Sequence, residues 1–231
     1  MTAHTLHSAD VLLLAAHPLE LEPFAAALGP GLRARVAAVI VAAADVGVGL
    51  AAAGSGTARR LVEHAPRTAV LVGSYGLYPG GSALVPGRVF VPARLFAVDG
   101  AERAGRAAFP AAMPAAFEPD AALCEGLAST VPHVERDALA TTLGITIDDS
   151  LAHELGTRSG CHGENLEALA VALACHGAGV AFAAVLGCTN TVGSQGRAQW
   201  LEHRATAARA TAELVLEWIA RGAPGAPPSA A

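Results

Sequence analysis

The sequence predicts an α/β fold in three layers, with a central mixed, largely parallel β-sheet flanked by helices. Near-continuous apolar runs carry this expectation: "VLLLAA" (11–16), "VAAVIVAAA" (36–44), "TAVLVGSYG" (68–76) and "VAFAAVLGCTN" (180–190). Such runs read as strands buried on both faces, the signature of a parallel sheet. Stretches of helical character alternate with them, as a layered α/β fold requires. A hydrophobic fraction of 53% against 15% charged residues supplies the core.

The elements follow in order. "HPLELEPFAAAL" (17–28) is expected to open a helix, with Pro18 suited to its first turn. "DVGVGLAAAGSGTARRLVEHA" (45–65) is a Gly-rich turn leading into a helix. "PGRVFVPARLF" (86–96) is a further strand, whose Pro92 marks an edge or a bulge. From Gly100 to Asp137 the chain is Ala/Pro-rich and aperiodic, a long substrate-side loop with a helix near Ala121 to Thr130. "ALATTLGITI" (138–147) is a strand, "NLEALAVALACHGA" (165–178) a helix, and "QWLEHRATAARATAELVLEWIARG" (199–222) a long C-terminal helix. No linker or repeat breaks the pattern. Residues 10–221 are therefore expected as one domain, with 1–9 and 222–231 as disordered tails.

Composition excludes several classes. A formal net charge of −5 argues against nucleic acid or an anionic membrane as partner, and every one of the 15 basic residues is Arg. The N-terminal "MTAHTLHSAD" has no basic segment, and the first apolar run is too short to span a membrane, which points to a cytoplasmic protein. Cys124, Cys161, Cys175 and Cys188 show neither CxxC nor zinc-ligand spacing, so reduced thiols and no metal are expected. "GVGLAAAG" is not GxGxxG and no acidic residue follows at the expected place, so no dinucleotide cofactor is expected. "GSYG" is not the GxSxG elbow of serine hydrolases.

Ligands of open parallel sheets gather at the carboxyl ends of the strands. The polar residues there are Glu20, the Asp45–Gly49 turn, the Gly73–Gly76 turn and Thr189–Asn190, with Glu167 at a helix start that can point the same way. Glu20 and Glu167 are the well-placed carboxylates. Glu167 stands at the head of an apolar run, and a buried carboxylate needs a partner or a ligand.

"LLLAAHPLELEPF", "DVGVGLAAA", "VLVGSYGLYPGGSALVPGRVFV", "ENLEALAVALAC" and "TNTVGSQGRAQW" fall in the order that resembles the nucleoside phosphorylase/nucleosidase superfamily, and within it the futalosine hydrolases. The resemblance implies a nucleoside phosphorylase-like fold and hydrolysis of the N-glycosidic bond of futalosine. The products are hypoxanthine and dehypoxanthine futalosine, on the futalosine route to menaquinone. Residue by residue, it implies that Glu20 activates the attacking water and that Glu167, with Leu166 in place of a Met, grips the ribose hydroxyls. Ser74 and Gly76 line the ribose and water side. Asn190 faces N7 and the six-position substituent of the purine. The partner implied is a small-molecule nucleoside, in a homo-oligomer of two or more copies.

The chemistry of these residue types agrees with the resemblance. Cleavage needs a water made nucleophilic, a ribose stabilised as it becomes cationic, and a base that leaves neutral. An Asn amide can donate to O6 and N7, where a carboxylate would be repelled by a 6-oxo group. Several points stay open. Glu22 is an alternative to Glu20, and His17 is read as structural. Leu186 stands where relatives carry an Arg. Tyr75, Phe90, Phe96 and Phe109 are candidates to stack on the base, and Arg94, Arg103 and Arg106 to meet a substrate carboxylate. The rival readings are a methylthioadenosine/S-adenosylhomocysteine nucleosidase, a phosphorylase using Arg59, Arg60 or Arg88 for phosphate, and a nucleoside-binding protein without catalysis.

Overall fold

The computed structural model describes residues 8–132 and 134–228. Strand β1 (Val11–Ala15) lies between β3 (Val39–Asp45) and β4 (Thr68–Leu77), parallel to both. Its alternation sets the layers. Leu12 and Leu14 face one core, packed with helix residues Ala53, Leu61, Val171 and Cys175. Val11, Leu13 and Ala15 face the other, against Phe24, Leu123, Val215 and Trp218. Period-2 alternation within a run that is apolar throughout thus buries both sheet faces.

On the first face lie α2 (Leu50–His64) and α6 (Ala168–Gly177). On the second lie α4 (Ala121–Ala128) and α7 (Gly196–Ala220). Strand β10 (Ala181–Thr191) runs parallel to β4, with one register shift between Cys188 and Asn190. Thr189 is the extra residue of this bulge, which re-aims the strand end and sets Asn190 opposite Gly76.

Shorter strands complete the sheet. Strand β2 (Arg33–Val36) forms a hairpin with β3. At the end of β4, β9 (Gly163–Asn165) pairs antiparallel with Gly76 and Leu77. Next come β8 (Ala138–Thr141), β6 (Arg94–Ala97) and β7 (Ala116–Phe117). Strand β5 (Val89–Phe90) pairs with β10 and precedes β6 by three residues, so this half of the sheet curls back on itself. The architecture agrees with the expected mixed, largely parallel sheet between helices.

Several boundaries differ. The expected helix at 17–28 is two 3₁₀ turns, Pro18–Glu20 and Glu22–Phe24, and the short α1 (Ala25–Leu28). Pro23 lacks the N–H that a continuous helix would need there. The expected strand at 86–96 is broken around Pro92 into β5 and β6. The strand expected at 138–147 stops at Thr141, level with the ends of both its partners, β6 at Ala97 and β9 at Asn165. The 100–137 stretch holds the short α3 (Gly100–Arg103) and β7 as well as α4. Helix α5 (Asp149–Ser159) replaces what the sequence pattern leaves without an element. Of the expected tails, residues 1–7 and 229–231 lie outside the described residues. Residues 222–228 are not free: the Trp218 indole donates to the Pro224 carbonyl at 2.9 Å, and Arg67 donates to that of Pro227. Among the described residues no helix is long and apolar enough to cross a membrane, and the cysteines are buried free thiols.

Candidate active site

The strand ends, the 3₁₀ turn after β1 and the start of α6 enclose a cavity of about 340 Å³. Glu20, Ser74, Gly76, Leu166, Glu167 and Asn190, scattered from the first strand to the last, all line it.

Glu20 ends the turn that His17 opens. The His17 Nδ1 accepts from the Leu19 N–H at 3.2 Å, and Glu20 Oε2 accepts from the His17 N–H at 3.1 Å, a reciprocal capping box. His17 therefore fixes where Glu20 points. Ser74 donates to Glu20 Oε1 at 3.5 Å and accepts from the Trp200 indole at 3.3 Å. Burial pushes the Glu20 carboxyl up to about 7, with the Glu167 charge adding to the rise. Glu22, two residues on, is exposed and faces an adjoining cavity instead.

Glu167 is buried, 5% exposed, and burial holds its carboxyl above the ordinary range. Its Oε1 accepts from the Gly49 N–H at 2.9 Å, at the head of α2. Gly49 has φ +84°, so the Gly-rich turn serves this approach. The Asn165 Oδ1 accepts from the Glu167 and Ala168 N–H groups at 2.7 Å each, capping α6.

The orientation of the Asn190 amide is fixed by its neighbours. Its Nδ2 donates to the Thr191 carbonyl at 3.1 Å, and its Oδ1 accepts from the Thr189 hydroxyl at 2.8 Å. A flipped amide would set two acceptors together at Thr191. One N–H and one oxygen lone pair remain for a ligand.

Three wall residues are not evident from sequence. Glu164, 6% exposed, accepts from Tyr78 at 3.1 Å and from the Thr146 N–H and hydroxyl at 3.0 and 2.8 Å. Burial holds its carboxyl above the usual range. It pins the 142–148 segment, whose Ile145 reaches the cavity. Trp200 presents an aromatic ring to the cavity, whereas the Tyr75 ring packs inward against Phe90, tilted at 39° with centroids 5.1 Å apart. Arg197 lies over Trp200. The helical spacing of "RAQW" after the Gly-rich turn is the one signal that points to this pair.

Other candidates lie elsewhere. Leu186 is packed in the core, fully buried. Phe90, Phe96 and Phe109 line neither this cavity nor the adjoining one. Arg59 and Arg60 pair with Glu63 at 3.3 and 2.9 Å, and Arg88 with Glu135 at 2.6 Å. Arg94 lies over Phe96, Arg103 pairs with Glu102, and neither they nor Arg106 reach either cavity.

Sequence comparison identifies the class to which this sheet, with a cavity at its strand ends, belongs. The chain belongs to the phosphorylase superfamily, whose family model matches residues 7–220. Among curated proteins no sequence matches it significantly. Its structure is similar to the 5′-methylthioadenosine/S-adenosylhomocysteine nucleosidase of Neisseria meningitidis in complex with methylthio-immucillin-A. The TM-score is 0.79 at 20% identity, over 91% of this chain and 98% of that one. The corresponding nucleosidase of Colwellia psychrerythraea, in complex with adenine, gives 0.79 at 19% over 97% and 99%. The S-adenosylhomocysteine nucleosidase of Streptococcus pyogenes, in complex with 5-methylthiotubericidin, gives 0.78 at 21% over 94% and 98%. At these identities the likeness establishes the fold.

Proposed function

We propose that the protein hydrolyses the N-glycosidic bond of a purine nucleoside, and that this nucleoside is futalosine, releasing hypoxanthine and dehypoxanthine futalosine on the route to menaquinone. The observation that carries the hydrolase reading is the pair of carboxylates, Glu20 and Glu167, on one cavity with Glu20 poised near neutrality. Ionised Glu20 takes a proton from water as the oxygen attacks C1′. The C1′–N9 bond breaks, its electron pair leaves with the purine, and the hypoxanthine anion then takes a proton from solvent to become the neutral product. Glu167 accepts from the vicinal ribose hydroxyls, placing negative charge near the growing positive charge of the sugar. Charge of that sign is worth more in the transition state than in the bound substrate, so it accelerates the chemical step.

Asn190 supports the 6-oxopurine. Its remaining N–H is a donor for O6 or N7, where the leaving base gathers charge. Binding alone does not discriminate, since an Asn amide also pairs with the N6 and N7 edge of adenine. The leaving step does. A 6-aminopurine departs once N7 is protonated, and an amide has no proton to give, whereas a 6-oxo base spreads its charge onto O6. Arg59, Arg60 and Arg88 are held by carboxylates and line neither cavity, so none of these three is placed to hold phosphate as the nucleophile.

The second reading, a methylthioadenosine/S-adenosylhomocysteine nucleosidase, is favoured by the structural neighbours and their ligands. Purine release from futalosine and from methylthioadenosine, by the wild type and by Asn190→Asp, separates the two. The futalosine reading expects the wild type to prefer futalosine and the Asp variant to shift toward the 6-aminopurine. Wild-type preference for methylthioadenosine overturns it in favour of the second.

A further inference from the structure

The cavity does not end at Trp200. A second one, of about 480 Å³, adjoins it and shares His17, Glu20, Ser74 and Trp200 with it. One face of α7 forms its far wall, with Trp200, Arg204, Ala205, Ala208 and Arg209 following at helical spacing. Leu19 and Pro23 add apolar surface from the turns after β1. The Arg204 guanidinium lies 5.5 Å from the Trp200 ring centroid, so the first cation is stacked at the passage between the cavities.

Neither Arg204 nor Arg209 makes an ion pair with any described carboxylate. Arg59, Arg60, Arg88, Arg158 and Arg221 each have one within 3.3 Å. Glu22 faces the same cavity without reaching them, and Glu20 stands at its mouth. The annex therefore offers two uncommitted cations above an apolar floor, entered past the residues that flank the ribose in the proposed function. An apolar body with an anionic end fits that shape and charge.

We infer that this annex binds the 5′ substituent of the nucleoside, and that the substituent is an apolar, aryl-sized group ending in a carboxylate held by Arg204 and Arg209. The inference rests on the proposed function, because it needs a nucleoside whose ribose lies between Glu20 and Glu167. A guanidinium pair recognises any small oxyanion, so free phosphate is the competing occupant.

The test uses the full chain and two substrates, futalosine and its carboxylate methyl ester, with purine release as readout. The wild type is expected to favour the acid by roughly 10–100-fold in kcat/KM, the range of a charge-assisted hydrogen bond or two. Arg204→Ala/Arg209→Ala is expected to lower the acid-to-ester ratio at least tenfold, and the double Lys variant to restore part of it. Equal use of acid and ester by the wild type overturns the inference, as does an unchanged ratio in the double Ala variant. Should that variant not fold, the wild-type ratio is followed as salt is raised from about 0.05 to 0.5 M: screening must lower it, and a constant ratio overturns the inference. Inorganic phosphate that is consumed to give a sugar 1-phosphate would make the annex a co-substrate site and overturn it too. Trp200 fluorescence separates this inference from the hydrolase reading, since Trp218 is fully buried. A protein that releases no purine, yet binds the acid at least tenfold tighter than the ester, keeps the annex and loses the hydrolase reading.

Discussion

Asn165 donates from Nδ2 to the Ser74 carbonyl at 3.1 Å, joining residues 91 positions apart. Because its Oδ1 also caps α6 at Glu167 and Ala168, this one side chain sets the spacing between the end of β4 and the Glu167 carboxylate. Asn165→Ala should cost about 1–2 kcal/mol of stability from the lost cap. It should also lower kcat/KM by roughly 10–100-fold through misplacement of Glu167. Asn165→Asp keeps the cap but sets a carboxylate oxygen against the Ser74 carbonyl, so it should recover only part of the stability and none of the rate. Thermal melts and initial rates on the two variants check the split.

Glu20 should impose a pH dependence of definite sign. In the proposed mechanism its ionised form accepts the proton, so kcat/KM should rise with pH through about 7 and level off above it. Glu20→Gln should remove that limb with nearly all turnover. Stability runs the other way. A carboxyl raised from 4.5 to about 7 favours the folded chain below pH 4.5, and this contribution is lost as pH rises through about 7. The wild type should therefore lose on the order of 2–3 kcal/mol relative to the Gln variant across that window, seen in denaturant titrations at its two ends.

Much of this arrangement is legible in the sequence because buried parallel strands are written as unbroken apolar runs. The ends of such runs are where ligands collect, which is why Glu20, Ser74 and Asn190 stand out from the amino-acid pattern alone. Less visible are elements whose stability comes from elsewhere. Helix α5 buries only Ala152 and Leu155, so "DDSLAHELGTRS" has too narrow an apolar stripe to announce itself, although Asp148 caps it. Strand β9 spans three residues and is held by its neighbours on both sides. Glu164 carries no local signal that sets it apart from any other acidic residue near a helix start. Its role depends on Tyr78 and Thr146, far away in sequence and adjacent only once the sheet has curled.

Glu164 is the acceptor for three donors, so its removal leaves them buried and unpaired. Glu164→Ala should destabilise the fold by about 3 kcal/mol or more. It should also release the Ile145 segment and raise KM more than it lowers kcat. Glu164→Gln retains an acceptor oxygen and should fall between the Ala variant and the wild type in both readings. Equal KM values for all three would show that the 142–148 segment does not depend on this clamp.

Gly76 faces Asn190 across the β4–β10 pair. A Cβ there would meet Asn190 Nδ2 and Val192 Cγ2 at 2.8 Å each. Gly76→Ala should displace the Asn190 amide, which faces the base in the proposed function, and cut kcat/KM by on the order of a hundredfold, with a modest loss of Tm. Gly29, whose added Cβ would meet nothing, provides a control in which a strained positive φ costs stability alone.

The central claim is that Glu20 directs water, and not phosphate, onto C1′ of a 6-oxopurine nucleoside. Cleavage of futalosine in ¹⁸O-labelled water, in phosphate-free buffer, tests it most directly by mass spectrometry of the products. The account predicts stoichiometric hypoxanthine, with one ¹⁸O on the anomeric carbon of the sugar product, and neither after Glu20→Gln. Release that begins only when phosphate is added, with unlabelled sugar 1-phosphate as product, would contradict it.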